Sequence, residues 1–356
     1  MAFLLPNLAG GGAERVITTL IRHLDTSRIK ASLILLNGRD NTFRALVPEH
    51  VEVTDLQKPR LRQAMPALLG LIRRTQPDVV VSTIDHLNVG AGLLRPFWPS
   101  QSKLVIRATD FLSLDSRRFR WLMGASFRNA DAIIYQSEAM KRAFSERLGL
   151  GHLSHRAIPN PVDIAEVRRK AAEPTEIPMD PHRINLVSIG RLAPAKGFDI
   201  LLDAIGRLER RDLAFHILGA GAEAGSLNRQ SEALGLVDRV RFWGFQSNPY
   251  AVLARADGLV LSSRFEGFPN VVLEALACGK PVLSTPVPGI EDALAGVPGC
   301  VVTAGFSADA LAQALEVFLE RGRTQVPQAN VAGYAAERIA RTYEDFLLSV
   351  EAGRGR

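Results

Sequence analysis

Short, uninterrupted apolar runs that alternate with amphipathic stretches restrict the possible folds of this sequence more than any other feature. The runs are rich in Val, Ile and Leu and do not alternate with polar residues, which is typical of parallel strands covered on both faces. Strand–helix–strand units of this kind build parallel sheets through right-handed crossovers. We therefore expect an α/β protein with two doubly wound domains of about six strands each.

The predicted strands divide evenly between the two halves of the chain. Those of the first half are Phe3–Pro6, Ser32–Leu36, Val51–Leu56, Asp78–Thr83, Leu104–Arg107 and Ala132–Tyr135. Those of the second half are Ile184–Ile189, Leu213–Leu218, Val240–Trp243, Gly258–Ser262, Pro281–Ser284 and Gly299–Val302. Helices are predicted between them, for example at Ala13–Leu24, Ile200–Arg210 and Val271–Cys278.

The length of 356 residues also favours two domains over a single core. The boundary is predicted at Ile158–Asp163, after which a polar stretch with three prolines extends to Arg183. A last helical pattern covers Gly333–Val350. The predicted organisation is a first domain at 1–163, a linker at 164–183, a second domain at 184–332 and a C-terminal helix at 333–356.

Simple counts argue against several classes of protein. The two cysteines, Cys278 and Cys300, are too few for a disulfide framework or a complete zinc site. No apolar stretch reaches the roughly 18 residues of a membrane span, and the apolar start Met1–Pro6 lacks the basic region of a signal peptide. We therefore expect a cytoplasmic protein.

Two basic residues follow the predicted strand Ile184–Ile189, in the segment Gly190-Arg191-Leu192-Ala193-Pro194-Ala195-Lys196-Gly197. Ligand sites of α/β domains lie at the carboxyl ends of strands. The planar guanidinium of Arg191 and the compact ammonium of Lys196 together suit a diphosphate. Solvated charge on a surface loop is the alternative, but the strand end and the flanking glycines favour binding.

The segment Ser262–Ala275 is the most specific motif. Glu266 lies in a predicted loop and Glu274 about one turn into a helix, so that both can face one ligand, and a carboxylate can accept hydrogen bonds from a ribose diol or sugar hydroxyls. Glu274 has apolar neighbours, among which an unpartnered charge is costly. Pro269 suits the first helical position, and the amides around Phe268–Val272 form a helix N-terminus that can bind diphosphate oxygens.

A further glycine-rich turn, Gly10-Gly11-Gly12-Ala13-Glu14-Arg15, follows the first strand and opens a helix, where an anion can bind. A glycine turn without a ligand is the alternative. Gly219 marks another strand end. The turn is not a Gly-x-Gly-x-x-Gly motif and has no well-placed acidic residue for a dinucleotide ribose, so no nicotinamide cofactor is expected.

The Glu-x7-Glu motif of Glu266 and Glu274 lies in Glu-Gly-Phe-Pro-Asn-Val-Val-Leu-Glu-Ala. Together with Gly-Arg-x4-Lys-Gly, the Gly-Gly-Ala-Glu opening and Ile-Pro-Asn-Pro-Val-Asp, it resembles the retaining glycosyltransferases of family four over essentially the whole chain. The resemblance implies a GT-B fold, which has two Rossmann-like domains with a cleft between them. It also implies transfer of a sugar from a nucleotide-sugar, with UDP-sugar favoured, and no metal or other cofactor.

The resemblance assigns roles at matching positions. Arg191 and Lys196 would stabilise the leaving diphosphate, and Glu274 would hold the donor ribose. The predicted catalytic residues are Arg191, Lys196 and Glu266. The predicted donor-binding residues are Gly11, Gly12, Gly190, Gly219, Phe268, Pro269, Asn270, Val271, Val272 and Glu274. The C-terminal helix would return to the N-terminal domain.

The sequence departs from the family pattern on the acceptor side. Many members carry a histidine after the fifth strand of the N-terminal domain, but here that strand continues as Val105-Ile106-Arg107-Ala108-Thr109-Asp110. His86 is the nearest histidine in sequence, with a solvated loop histidine as the alternative. Arg107 is the other residue that could face the acceptor.

Excess positive charge is confined to the first half. Residues 1–163 contain 22 basic and 14 acidic residues, whereas the remainder contains 21 and 23. Cations mix with aromatic residues at Arg95-Pro96-Phe97-Trp98 and at Arg117-Arg118-Phe119-Arg120-Trp121, which suits a membrane interface. We expect peripheral association with an anionic membrane and a polyprenyl-diphosphate-linked glycan acceptor, with ordinary solvated arginines as the alternative.

Two other functions fit fewer features. A nucleotide-sugar 2-epimerase or hydrolase on the same architecture would need catalytic acids and a histidine in the cleft that the sequence does not place. A non-catalytic nucleotide-binding or nucleic-acid-binding protein would use the basic face. However, the two glutamates would repel a nucleic-acid backbone, so no nucleic-acid partner is expected.

Overall fold

Every strand pairing in the described part of the chain is parallel, as the uninterrupted apolar runs predict. The computed structural model describes residues 1–39, 41–109, 117–151, 153–321 and 324–353. The strands are β1 Ala2–Leu5, β2 Ser32–Leu35, β3 Glu52–Asp55, β4 Val79–Thr83, β5 Lys103–Arg107, β6 Ala132–Tyr135, β7 Ser154–Ala157, β8 Ile184–Ile189, β9 Leu213–Leu218, β10 Val240–Phe242, β11 Gly258–Leu261, β12 Val282–Ser284 and β13 Val301–Val302. The helices are α1 Gly12–His23, α2 Leu61–Thr75, α3 Asp85–Leu94, α4 Arg117–Phe127, α5 Glu138–Leu148, α6 Ile164–Ala171, α7 Phe198–Arg207, α8 Ala224–Ala233, α9 Pro249–Leu253, α10 Asn270–Ala277, α11 Ile290–Leu294, α12 Ala308–Glu320 and α13 Ala336–Glu351.

The strands form two separate sheets, each in its own unit. Unit 1 comprises Met1–Pro161 and Tyr334–Arg356, and unit 2 comprises Val162–Gly333. The sheet orders are β3-β2-β1-β4-β5-β6-β7 and β10-β9-β8-β11-β12-β13. Both orders are doubly wound, because the winding direction reverses between β1 and β4 and between β8 and β11. The prediction of two Rossmann-like domains is confirmed.

Successive strand residues in unit 1 point into two cores on opposite faces of the sheet. Leu4 lies in one core with side chains of α2, α3, α4 and α5, whereas Phe3 lies in the other with side chains of α1 and α13. α1 contributes Leu20 and α13 contributes Leu347, and the two helices pack against each other. The C-terminal helix is therefore part of the unit 1 core.

The sequence prediction omits the seventh strand of unit 1, β7. Its residues, Ser-His-Arg-Ala, do not form an apolar run and are half-buried or exposed. β7 pairs only with β6, at the edge of the sheet. An edge strand of this kind gives no buried apolar signal, so the sequence analysis, which expects about six strands in this half, does not locate β7.

The segment predicted as a linker, residues 164–183, begins with helix α6. The carboxylate of Asp163 caps this helix by accepting a hydrogen bond from the N–H of Glu166 at 2.9 Å. α6 packs against α9 and α10 in unit 2, but only Val167 among its residues is buried. The linker prediction is therefore wrong for Ile164–Ala171. A helix that buries a single side chain has a polar composition, and this composition resembles that of a linker.

Arg107, at the end of β5, is fully buried in unit 1. Its guanidinium donates to the Tyr343 hydroxyl of α13 at 3.1 Å, to the Thr83 hydroxyl of β4 at 3.3 Å and to the Asn160 side-chain oxygen at 2.5 Å. Asn88 of α3 donates to its carbonyl at 3.0 Å. The hypothesis that Arg107 faces the acceptor is therefore wrong. Its guanidinium is buried, and its hydrogen bonds connect separate segments of unit 1.

We predict that Tyr343→Phe lowers the free energy of unfolding by about 1–3 kcal/mol, because a buried charged donor loses its acceptor. Urea denaturation measures this change. In an Arg107→Met background the donor is already gone, so the same Tyr343→Phe change should cost much less. Equal costs in the two backgrounds would show that the hydrogen bond contributes nothing.

Candidate functional site

The carboxyl ends of β8 and β11 lie side by side in unit 2, where the winding direction of the sheet reverses. Doubly wound domains bind ligands at such points. Residues 190–197 follow β8, and we call them the β8 loop; residues 262–269 follow β11, and we call them the β11 loop. The structure thus brings together the two segments that the sequence analysis assigns to the donor.

The two loops contact each other closely through hydrogen bonds to main-chain carbonyls. The Ser262 hydroxyl donates to the Lys196 carbonyl at 3.0 Å, and the Arg264 N–H donates to the Ala195 carbonyl at 2.8 Å. Gly197 has a φ of +62°, and a Cβ atom there would lie 2.1 Å from the Ser262 carbonyl oxygen. Only glycine permits this approach, so Gly197 sets the spacing of the two loops.

A fork of charged hydrogen bonds fastens the β11 loop to the start of α7. Arg264 donates to the two carboxylate oxygens of Asp199 at 2.7 and 2.6 Å, and to the Pro194 carbonyl at 2.9 Å. The guanidinium holds the pKa of Asp199 below its usual value. Sequence reasoning missed this pair. Its only signal in the sequence is that Arg264 and Asp199 carry opposite charges and each follows a strand end.

Lys196 and Glu266, both predicted catalytic residues, form an ion pair. The Lys196 Nζ lies 2.5 Å from the Glu266 Oε1, and the Ser263 hydroxyl donates to the same oxygen at 2.7 Å. The two side chains are 27% and 12% exposed, so the pair is partly desolvated. Mutual attraction keeps a cation and an anion together at this strand edge.

Arg191 is the second residue of the β8 loop and has an exposed side chain. Its guanidinium forms no ion pair or hydrogen bond with any residue that the structure describes. An unengaged guanidinium can bind a phosphate group with two parallel hydrogen bonds. Arg191 is therefore available to an anionic ligand without first leaving another partner.

Helix α10 begins at Asn270, directly after the β11 loop. Pro269 is therefore the N-cap residue and not, as we predicted, the first residue of the helix. Proline carries no side-chain acceptor, so it cannot cap the first N–H groups. Phe268, Pro269 and Val272 are buried, whereas Asn270 and Val271 are half-buried. This first turn carries the positive end of the helix dipole.

Glu274 is a buried carboxylate, only 7% exposed. The hydroxyl of Tyr250, an equally buried residue of α9, donates to its Oε1 at 3.0 Å. The burial excludes a solvated charge on the helix surface. Sequence reasoning missed Tyr250, because α9 carries no motif and its only signal is a hydroxyl in a short apolar segment.

Gly219, after β9, is explained by packing between loops. It has a φ of +148°, and a Cβ atom there would lie 1.8 Å from the carbonyl oxygen of Gly190. The loop after β9 therefore lies against the β8 loop, as the hydrogen bond from the Leu192 N–H to the Ala220 carbonyl also shows. A ligand contact for Gly190 and Gly219 stays a prediction.

The glycine turn of unit 1 lies at the start of α1, where Gly11 is the N-cap residue and Gly12 the first helical residue. The carboxylate of Glu14 folds back over this turn, and a Cβ atom on Gly11 would lie 2.3 Å from its Oε2. Glu14 is 8% exposed. The Glu14 carboxylate interacts favourably with the positive end of the α1 dipole. Binding of donor phosphates at this turn stays a prediction.

Two family descriptions match the chain, one in each half. Residues 10–166 match "Glycosyltransferase Family 4", and residues 183–321 match "Glycosyl transferases group 1". The boundary between the two matches lies near the passage from unit 1 to unit 2.

Curated relatives cover most of the chain. The lipopolysaccharide core biosynthesis glycosyltransferase LpsE of Rhizobium meliloti is 28% identical over 355 residues, which cover 95% of this chain and 96% of that protein. The N-acetylgalactosamine-N,N'-diacetylbacillosaminyl-diphospho-undecaprenol 4-alpha-N-acetylgalactosaminyltransferase of Campylobacter jejuni is 27% identical over 296 residues, which cover 78% of each chain.

Solved structures share the fold over nearly the full length. The Anabaena protein HepE in complex with UDP and glucose has a TM-score of 0.80 at 22% identity, with 98% of this chain and 99% of that chain covered. Sucrose-phosphate synthase of Thermosynechococcus elongatus has a TM-score of 0.81 at 17% identity, with 99% of each chain covered. Taken with the family matches, these similarities show that the chain is a glycosyltransferase of family 4, built from the two Rossmann-like domains of the GT-B fold.

Proposed function

We propose that the protein transfers a sugar from a UDP-sugar to a lipid-linked glycan, with retention at the anomeric carbon and without a metal ion. The observation that carries the proposal is the convergence of Lys196, Glu266 and the first turn of α10 at the β8–β11 edge. UDP is supported by the HepE complex, which contains UDP. A lipid-linked acceptor is supported by the Campylobacter relative, whose name includes a diphospho-undecaprenol glycan.

Breaking the bond between sugar and phosphate leaves negative charge on the departing diphosphate. Arg191, Lys196 and the N–H groups at the start of α10 are cationic or dipolar donors on one sheet edge that can stabilise it. The fork between Arg264 and Asp199 holds the β8 and β11 loops together before any ligand binds. These groups therefore need little reorganisation during the reaction, and they supply the charge that a metal ion would otherwise supply.

The two glutamates take different parts of the donor. Glu274 accepts hydrogen bonds from the ribose diol, and the hydroxyl of Tyr250 fixes the orientation of its carboxylate. Glu266 lies at the donor sugar, where it forms an ion pair with Lys196. As the diphosphate binds, Lys196 gains a second anionic partner.

We predict that Lys196→Ala lowers kcat for sugar transfer by about 100-fold to 1,000-fold, because a donor to the developing charge is lost. Transfer from UDP-sugar to a lipid-linked glycan measures this, and the same assay without acceptor detects epimerisation. Lys170→Ala is the matched control, since Lys170 is 29% exposed and also pairs with a glutamate, at 3.3 Å. Normal turnover by Lys196→Ala would remove this residue from the mechanism.

We predict that UDP stabilises the protein against heat more than GDP or ADP does, by roughly 5 °C or more at saturating concentration. Glu274→Gln should reduce the UDP shift, because a neutral amide holds the ribose diol more weakly than a carboxylate. Glu232→Gln, an exposed position on α8, is the control. If Glu274→Gln keeps the full shift, Glu274 does not bind the nucleotide.

We also propose that unit 1 associates with an anionic membrane through exposed aromatic side chains. Trp121 on α4 is 74% exposed and Phe97 is 59% exposed, at the end of a short 3-10 turn that continues α3, which packs on α4. Trp98 and Arg95 do not take part as the sequence suggested, because Trp98 is buried and Arg95 pairs with Asp131 at 2.8 Å. No helix in the described ranges is long and apolar enough to span a bilayer.

Sedimentation with anionic liposomes tests this surface. We predict that the double variant Phe97→Ala, Trp121→Ala binds liposomes several-fold more weakly, because two interfacial anchors are lost. Phe306→Ala is the control, since Phe306 in unit 2 is also an exposed aromatic residue, at 43%. Binding that added salt does not weaken would contradict an electrostatic contribution.

A further inference from the structure

Helix α6, the first helix of unit 2, contacts both of the helices that carry the hydrogen bond between Tyr250 and Glu274. It packs against α9, which contains Tyr250, and against α10, which contains Glu274. Asp163 caps its amino end, directly after the chain passes into unit 2 at Val162. α6 itself carries none of the residues that we assign to the donor, so its contacts with α9 and α10 have no role in the proposed function so far.

Asn248 connects α6 to α9 through its side-chain amide. Its Nδ2 donates to a main-chain carbonyl in the last turn of α6 at 2.9 Å, and to the carboxylate of Glu173, just beyond that helix, at 2.7 Å. Its Oδ1 accepts a hydrogen bond from the Ala251 N–H at 3.4 Å, so Asn248 is also the N-cap residue of α9. One amide thus fixes the start of α9 against the end of α6, two residues before Tyr250.

Arg168 connects α6 to α10. Its Nε donates to the carbonyl of Ala277, the last residue of α10, at 3.2 Å, and its Nη1 donates to the Gln328 side chain at 2.7 Å. The last carbonyls of a helix have no partner within that helix, so an outside donor satisfies one of them and holds the helix end in place. A cation here also interacts favourably with the negative end of the α10 dipole.

The hydrogen bond between Tyr250 and Glu274 depends on how α9 lies against α10. The hydroxyl and the carboxylate belong to different helices, and their separation is 3.0 Å. A hydrogen bond weakens steeply when its distance and angle depart from the preferred values. A small displacement of α9 against α10 would therefore turn the carboxylate and change the direction in which it accepts further hydrogen bonds. Because α6 is bonded to both helices, it limits that displacement.

We propose that Asn248 and Arg168 are positioning residues for the donor ribose, which act through α9 and α10 to keep Glu274 aligned with the ribose diol. The proposal rests on the proposed function, in which Glu274 binds the ribose of UDP. An aligned carboxylate accepts a hydrogen bond from the 2′-hydroxyl, a group that 2′-deoxy-UDP lacks. The preference for UDP over 2′-deoxy-UDP therefore measures the alignment of Glu274 separately from the contacts of the diphosphate.

Calorimetric titration of the full-length chain with UDP and with 2′-deoxy-UDP tests the proposal. The wild type should bind 2′-deoxy-UDP about tenfold more weakly than UDP, because a hydrogen bond to a charged acceptor is lost. Asn248→Ala and Arg168→Met should each reduce this preference to about threefold or less, because a displaced carboxylate no longer meets the 2′-hydroxyl with good geometry. In a Glu274→Gln background the same two changes should leave the preference unaltered, since the group on which they act is gone.

Two control variants remove the same kinds of hydrogen bond from other elements of unit 2. Ser307→Ala removes the side-chain cap of α12, where the Ser307 hydroxyl accepts from the Ala310 N–H at 3.1 Å. Arg321→Met removes a guanidinium that donates to the Cys300 carbonyl at 2.7 Å. Both controls should keep the wild-type preference for UDP, even where the loss of a cap or a hydrogen bond lowers the melting temperature.

Asn248→Asp separates the two contacts of this residue. An aspartate keeps an acceptor for the cap of α9 but cannot donate to α6, so the variant should lose the preference for UDP as Asn248→Ala does. A wild-type preference in Asn248→Asp would show that only the cap matters, and it would overturn the role of α6 at this position.

A wild-type preference in both Asn248→Ala and Arg168→Met would overturn the proposal and leave the proposed function standing. An equal loss of affinity for UDP and 2′-deoxy-UDP in these variants would also overturn it, because it would indicate a general loss of structure. A wild type that binds the two nucleotides equally would contradict the ribose role of Glu274 in the proposed function, and the positioning roles with it.

Discussion

Parallel strand pairing with both faces of each sheet covered is the constraint on which the rest of this protein depends. Once helices cover the faces, as α1 and α13 do on one side of unit 1, only the strand ends can offer polar groups to a ligand. In unit 2 the candidate donor site lies at the carboxyl edge, beside the strands where the winding direction reverses. The chemistry therefore follows from the topology.

The candidate donor site is charged before a ligand arrives, and two of its charges, Lys196 and Glu266, are paired. The side chains of Lys196 and Glu266 are both largely removed from water, but each is the counter-ion of the other. A binding diphosphate joins an existing pair, so neither Lys196 nor Glu266 has to exist as an isolated charge before it binds. The fork between Arg264 and Asp199 has the separate task of keeping the two loops in register.

Most strands, the two-domain organisation and the two loops of the candidate donor site could be predicted from the sequence, because buried runs and strand-end motifs leave a local signal. The edge strand β7 and helix α6 could not, since neither buries enough apolar surface to produce a pattern. The structural contacts of Arg107 and Tyr250 could not be predicted for a different reason. Their roles depend on partners far away in the chain, Tyr343 and Glu274, and no local pattern records such pairing.

The positive charge of the first half also has more than one cause, which a charge count cannot separate. Arg107 is buried and structural, and Arg28 is tied to Glu344 at 2.7 Å on the C-terminal helix. Arg39 and Lys58 differ from both, because neither side chain forms an ion pair with any residue in the described ranges. In unit 2, by contrast, Lys196 of the candidate site is paired with Glu266, so the charge count of a half does not show which of its cations are available to a ligand.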